Sequence, residues 1–288
     1  MVAIVLSVRT APVGGDVADR VSVGGGGAFP HPTRVTLLVH GYNDPQQDAL
    51  ASYAAFLAHS GLDGALAAGQ VCEFVWPGDK RWGPMSAAAY PFEIGRARES
   101  AARLYDFLKG VQTANGWPLE VQLVCHSLGN RLLLELLARW LDDGSPAGLR
   151  FSACSLMAAA VPVPRVEEGG ALGAAAAAPG KTLVLHSSSD AVLHWAFPPG
   201  ETAAGEGFFP QAVGRAGEPA ARWSERAPMA GYGHGDYWTG AESAKSVLAF
   251  LGGAPERTLS EAAIPEHELP EPGAIAAREL PQRTPLRP

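Results

Sequence analysis

The sequence predicts an α/β fold, a mostly parallel central sheet with helices on both faces, and three observations carry that prediction. Strand-length runs rich in Val, Leu and Phe recur along the chain. Helix-like segments lie between them, the alternation that builds a parallel sheet with covered faces. The 288 residues are 47% hydrophobic, enough for one large core within the size range of a single enzyme domain.

Taken in order, the strands are "AIVLSV" at 3–8, "RVTLLVH" at 34–40, "GQVCEFVW" at 69–76, "LEVQLVC" at 119–125, "RFSACSLM" at 150–157 and "KTLVLHS" at 181–187. The first run is apolar for only about six residues and has no basic stretch before it, so it reads as a strand and not as a leader or a membrane span. Residues 11–32 contain the run Gly24 to Gly27 followed by Pro30 and Pro32, and are expected to form a flexible loop. The next helix has Asp44 at its N-cap, Pro45 at its first position and Gly61 as its stop, with Leu50, Tyr53 and Leu57 on one face. A second runs from about Ser86 to Lys109, where Ile94, Ala97, Ala101, Leu104 and Leu108 alternate at spacings of three and four. The run "LLLELL" after Ser127 is apolar nearly all round, so it predicts the most buried helix. "GGALGAAAAAPG" suits a short helix and "SAKSVLAFLG" a last one. Residues 1–251 then form the folded domain, and the Pro-rich stretch 252–288 a disordered tail.

Charge and cysteine usage narrow the partners. The net charge is −7 and Lys and Arg form no block, which argues against nucleic acid and anionic membranes and for a small-molecule partner. Cys72, Cys125 and Cys154 are odd in number and widely spaced in apolar surroundings, which suits reduced thiols and a cytoplasmic protein. No run reaches transmembrane length, and the histidines lack ligand spacing such as H-x-x-x-H, so no metal is expected.

The chemistry concentrates at "VCHSLGN", residues 124–130, where a buried strand turns into a helix with Ser127 at the corner. A serine hydroxyl is a weak nucleophile without a base to take its proton and donors to receive an oxyanion. A strained corner lifts its Oγ above the sheet and demands small residues two before and two after, here Cys125 and Gly129. The competing reading is a plain serine helix cap. Together with "LLVHGYN", "FVWPGD", "YPFEIGRARESAARLYDFL", "SSSDAVL" and "GYGHGDYW", this motif resembles the α/β-hydrolase superfamily over residues 33–251. The likeness is to a bacterial branch with a V-H-G-[FY]-N loop. The family's G-x-S-x-G carries Cys125 in place of its first glycine.

The resemblance implies an α/β-hydrolase fold and a serine esterase or lipase-like hydrolase, without metal or organic cofactor, acting on a small-molecule ester. The roles follow chain order: Ser127 as nucleophile, Asp190 after a late strand as acid, and His234, between two glycines before the last helix, as base. Asp236 is the fallback acid. His186 and His194 lie too close to Asp190 in sequence to be the base, and His126 is expected to point away. The backbone amides of Tyr42 and Leu128 would form the oxyanion hole, with His40 supporting the loop. The long segment between acid and base, 195–230, is expected to form a cap or lid with Phe197, Phe208, Phe209 and Trp223 lining it, and Trp76, Pro77 and Trp82 adding a wall. Core packing is the equal alternative for these aromatics. The other functions considered are acyl transfer or thioester cleavage on the same triad, and a dormant binding protein.

Overall fold

The computed structural model describes residues 3–24, 29–60, 70–79 and 86–252. They form an eight-stranded sheet: β1 (Ile4–Arg9), β2 (Val17–Val23), β3 (Arg34–Val39), β4 (Gln70–Val75), β5 (Leu119–His126), β6 (Leu149–Met157), β7 (Thr182–His186) and β8 (Glu225–Pro228). The spatial order is β2-β1-β4-β3-β5-β6-β7-β8. Only the β1–β2 pair is antiparallel; every other neighbour is parallel. The central strands are buried on both faces, which is why β3, β5 and β6 read as continuous apolar runs.

The helices are α1 (Gln46–Ser60), α2 (Ser86–Asn115), α3 (Gly129–Asp142), α4 (Val163–Val166), α5 (Gly173–Ala177), α6 (Phe197–Ala203), α7 (Val213–Ala216) and α8 (Ala241–Gly252). On α2 the predicted stripe Ile94, Ala97, Ala101, Leu104 and Leu108 is buried, and the helix runs on past Lys109 to Asn115. On α3 the residues from Gly129 to Leu134 and Leu136–Leu137 are all buried. The buried stripe of α1 is Ala49, Tyr53 and Phe56, so Leu50 and Leu57 lie at its margins. Cys72, Cys125 and Cys154 are buried free thiols.

Two strands correct the sequence reading. Residues 17–23, expected to lie in a loop, form β2 at the sheet edge. The edge position leaves "VADRVSV" only partly buried, and its alternation was masked by the neighbouring glycines and prolines. Residues 225–228, expected to belong to a cap, form β8 beside β7. The tail 253–288, Gly61 and Trp82 lie outside the described residues.

The segment after Asp190 is anchored by charge. Glu206, just beyond α6, meets the guanidinium groups of Arg98 on α2, Arg131 on α3 and Arg165 on α4. Arg131 is fully buried and also donates to Glu135 at 2.8 Å. A buried guanidinium is tolerated only when its donors are met, and two glutamates meet this one.

Candidate active site

In a parallel sheet the loops at the carboxyl ends of the strands share one edge, and the chemistry-bearing residues of this chain gather there. β5 ends at His126 and Ser127 takes a left-handed φ of 51°, a conformation costing a non-glycine residue about 1–3 kcal/mol. The surroundings hold it there. Ser127 N–H donates to Met157 O at 3.0 Å, and its carbonyl accepts from Asn130 N, Asn130 Nδ2 and Ala160 N. Asn130 Nδ2 also reaches Met157 O at 3.0 Å.

The small residues around the corner are required sterically. A Cβ on Gly129 would lie 2.5 Å from His40 O and 2.9 Å from Val39 O. A Cβ on Gly41 would lie 2.7 Å from Ser127 Cβ and 3.0 Å from His126 Nδ1. The loop that carries Tyr42 is therefore packed directly on the serine corner. Leu128 precedes α3, whose first donors to Ser127 O and Leu128 O are the amides of Asn130 and Arg131. Its own N–H thus comes before any acceptor within the helix.

Ser127, His234 and Asp190 come together in one hydrogen-bonded chain. Ser127 Oγ is 2.7 Å from His234 Nε2, and His234 Nδ1 is 2.8 Å from Asp190 Oδ2. Asp190 is an acceptor only, so Nδ1 carries the proton and Nε2 faces the hydroxyl. The second carboxylate oxygen of Asp190 accepts Leu193 N–H at 2.9 Å, and Asp190 is fully buried. Asp236, the alternative acid, instead closes the turn of the base's loop by accepting Gly233 N–H at 2.7 Å. His194 stacks edge-on against Trp195.

Three features differ from the sequence reading or add to it. The ring of His126 does not point away: it lies 5.0 Å from that of His234, and Nε2–H donates to the His234 carbonyl at 2.8 Å. Burial pushes its pKa down to about 3, with the neighbouring His234 acting the same way, so it is a neutral donor that fixes the base's backbone. Asp44 sits beside the same loop. Burial raises the pKa of its carboxyl to about 6, against the opposing influence of the Gly41 amide and of His234. Beneath them, Arg9 pairs with Asp79 and donates to Trp76 O at 2.9 Å, while Asp79 also accepts Gly14 N–H. Asp79 stands in the "FVWPGD" motif, which was its only signal.

His40 is bonded to its own loop and to the end of β4. Its Nδ1–H donates to Gly41 O at 2.9 Å and its Nε2 accepts Trp76 N–H at 3.2 Å. Burial takes its pKa down to about 3.

The substrate-facing aromatics divide. Trp76 is fully buried, stacked on His40 with ring centroids 5.6 Å apart and donating Nε1–H to His40 O, so it is a wedge under the loop and lines no open wall. Phe197 and Trp223 are core residues. Phe208 and Phe209 pack edge to face on each other and are exposed, 86% and 57% respectively. Among the described residues no group of three or more His, Cys, Asp or Glu side chains is placed to hold a metal ion, and no helix is long and apolar enough to cross a membrane.

Residues 30–148 match a family model described as an alpha/beta hydrolase of unknown function. That span includes the Gly41 loop and Ser127 but neither Asp190 nor His234. No curated protein matches the chain. Among solved structures the chain is similar to a protein of Thermus thermophilus at 21% identity and a TM-score of 0.45, covering 76% of this chain and 88% of that one. It is also similar to a hyperthermophilic esterase of Pyrobaculum calidifontis (15%, TM-score 0.43, 78% and 76%). A third likeness is to the core of an acetyl xylan esterase of Trichoderma reesei (14%, TM-score 0.42, 77% and 98%).

Proposed function

We propose that this chain, whose residues 30–148 match an alpha/beta hydrolase model and whose sheet is mostly parallel, cleaves carboxylic esters through an acyl-enzyme on Ser127. The observation that carries this reading is the continuous chain from Asp190 through His234 to a serine in a left-handed backbone conformation.

Ser127 Oγ attacks the ester carbonyl carbon while its proton passes to His234 Nε2. The imidazolium so formed is stabilised by Asp190 through Nδ1–H. The negative charge on the former carbonyl oxygen is received by the amides of Tyr42 and Leu128. Collapse breaks the bond to the alcohol oxygen, which takes the proton back from His234. Water then repeats the sequence on the acyl-enzyme and releases the carboxylic acid. No metal or organic cofactor enters these steps. Trp195, Phe208 and Phe209 are the large aromatic side chains of the 195–230 segment exposed to solvent, and Phe208 and Phe209, packed on each other, are the pair proposed to meet an acyl chain. The buried free thiols suit a reducing, cytoplasmic setting.

The test is hydrolysis of p-nitrophenyl esters of increasing acyl length. Ser127→Ala is expected to remain folded and to lower kcat by about 10⁴ to 10⁶. A pure Ser127→Ala preparation with the parent rate would overturn the proposal.

A further inference from the structure

A cavity of about 360 Å³ lies where the carboxyl ends of β7 and β8 meet the segment containing α7. None of Ser127, His234 and Asp190 lines it. Ser127 follows β5, and β7 and β8 are two and three strands away, so the strand spacing puts the cavity roughly 10–14 Å from the serine.

The lining combines one cation with apolar walls. Arg215 is half-buried, and its guanidinium makes no hydrogen bond or ion pair with a described residue. Pro228, Met229 and Ala216 supply the apolar surface. Among the described residues no carboxylate lines the space. The neighbouring acid, Glu218, is already engaged by Arg226 at 3.4 Å and by the Ala220 amide at 2.7 Å. His186, on the β7 side, is kept neutral by burial and by the field of Arg226. A half-buried guanidinium without a counter-ion favours a planar anion that it can grip with two N–H groups. The apolar walls favour a hydrocarbon body on that anion.

The position matters as much as the chemistry. Ser187 and Ser188 in the lining lead into Asp190, and Met229 and Ala230 lead into His234. The two loops are joined here by Ser187 Oγ–H donating to Tyr232 O at 2.7 Å.

We propose that this cavity binds a small monocarboxylate with a short hydrocarbon chain, Arg215 taking the carboxylate and Pro228 and Met229 the chain. Such a ligand touches both the acid-bearing and the base-bearing loop, so its binding lowers kcat without competing at Ser127. This kinetic consequence rests on the ester-hydrolase reading, under which the acid product has this same chemistry; the binding itself does not.

The experiment is isothermal titration of the full chain with hexanoate and, separately, with inorganic phosphate. Saturable hexanoate binding is expected at millimolar concentration, with phosphate at least tenfold weaker. Arg215→Ala, and Ser188→Trp placed at the exposed rim, should each weaken hexanoate at least tenfold while keeping the parent melting temperature. Protein with a phosphonate on Ser127 should bind hexanoate as the free protein does. The site is refuted by no binding to the wild type, by equal binding to both variants, by phosphate binding as well as hexanoate, or by loss of binding on labelling. Should Arg215→Ala fail to fold, Ser188→Trp decides alone. In steady-state assays hexanoate should lower kcat and leave KM unchanged in the wild type and have no effect in the variants. A chain without esterase activity would sink the hydrolase reading, and the titration would still decide the site.

Discussion

Replacing Gly41 by Ala isolates what the contact between the two loops contributes. The added Cβ would lie 2.7 Å from Ser127 Cβ and 3.0 Å from His126 Nδ1, against an ordinary carbon contact of about 3.5–4.0 Å. Something must therefore move by about 1 Å. Neither neighbour yields easily: Ser127 is strapped by Asn130 and Ala160, and His126 is bonded to the His234 backbone. A misplacement of about 1 Å between reacting groups costs about 10²-fold in rate, and overpacking costs about 1–3 kcal/mol. Gly41→Ala should thus lose about 10²-fold in kcat/KM on p-nitrophenyl acetate and melt several degrees lower. Gly95→Ala is the matched control, since nothing lies within 4 Å of its Cβ on exposed α2. It should gain about 0.5–1 kcal/mol with activity unchanged. Parent activity and melting temperature in Gly41→Ala would refute the packing argument.

Further outcomes follow from the same geometry. His126→Phe removes the donor to the His234 carbonyl and should lower kcat about tenfold at constant KM, read by steady-state kinetics. The same side chain contributes to acid stability. His40 and His126 have pKa values near 3 when folded and 6.5 when unfolded, so the unfolded state binds more protons between those limits and stability falls as pH drops, by about 1.4 kcal/mol per unit for each. Asp44, raised to about 6 from 3.8, acts oppositely, binding its proton first in the folded state. Urea denaturation at pH 6, 5 and 4 should show the slope reduced by about 1.4 kcal/mol per unit in His126→Gln. Arg131→Met breaks a buried ion network and should destabilise on the order of 3 kcal/mol, the low end because Arg98 and Arg165 still face Glu206, lowering the melting temperature by about 6–12 °C.

What was legible in the sequence was set by local chemistry. The buried strands, the α2 stripe and the serine between Cys125 and Gly129 each reflect a constraint acting over a few residues, so their patterns stand out. Asp190 and His234 are legible only through chain order, and in the fold they join Ser127 through bonds spanning 44 and 107 residues. The misses are non-local. β2 and β8 are edge strands with weak burial patterns, and nothing near His126 indicates that its partner is the carbonyl of a residue 108 positions later. Trp76 reads as substrate-facing in the sequence because an aromatic residue at a strand end looks alike whether it faces a cleft or wedges a loop; its stacking on His40 distinguishes the two.

The most direct test of the account is intact-mass analysis of the chain after treatment with a fluorophosphonate, with peptide mapping and a Ser127→Ala control. The account predicts one adduct, on Ser127, absent from the control. Folded protein that takes up no adduct, or takes it up elsewhere, would contradict the assignment of Ser127 as an activated nucleophile.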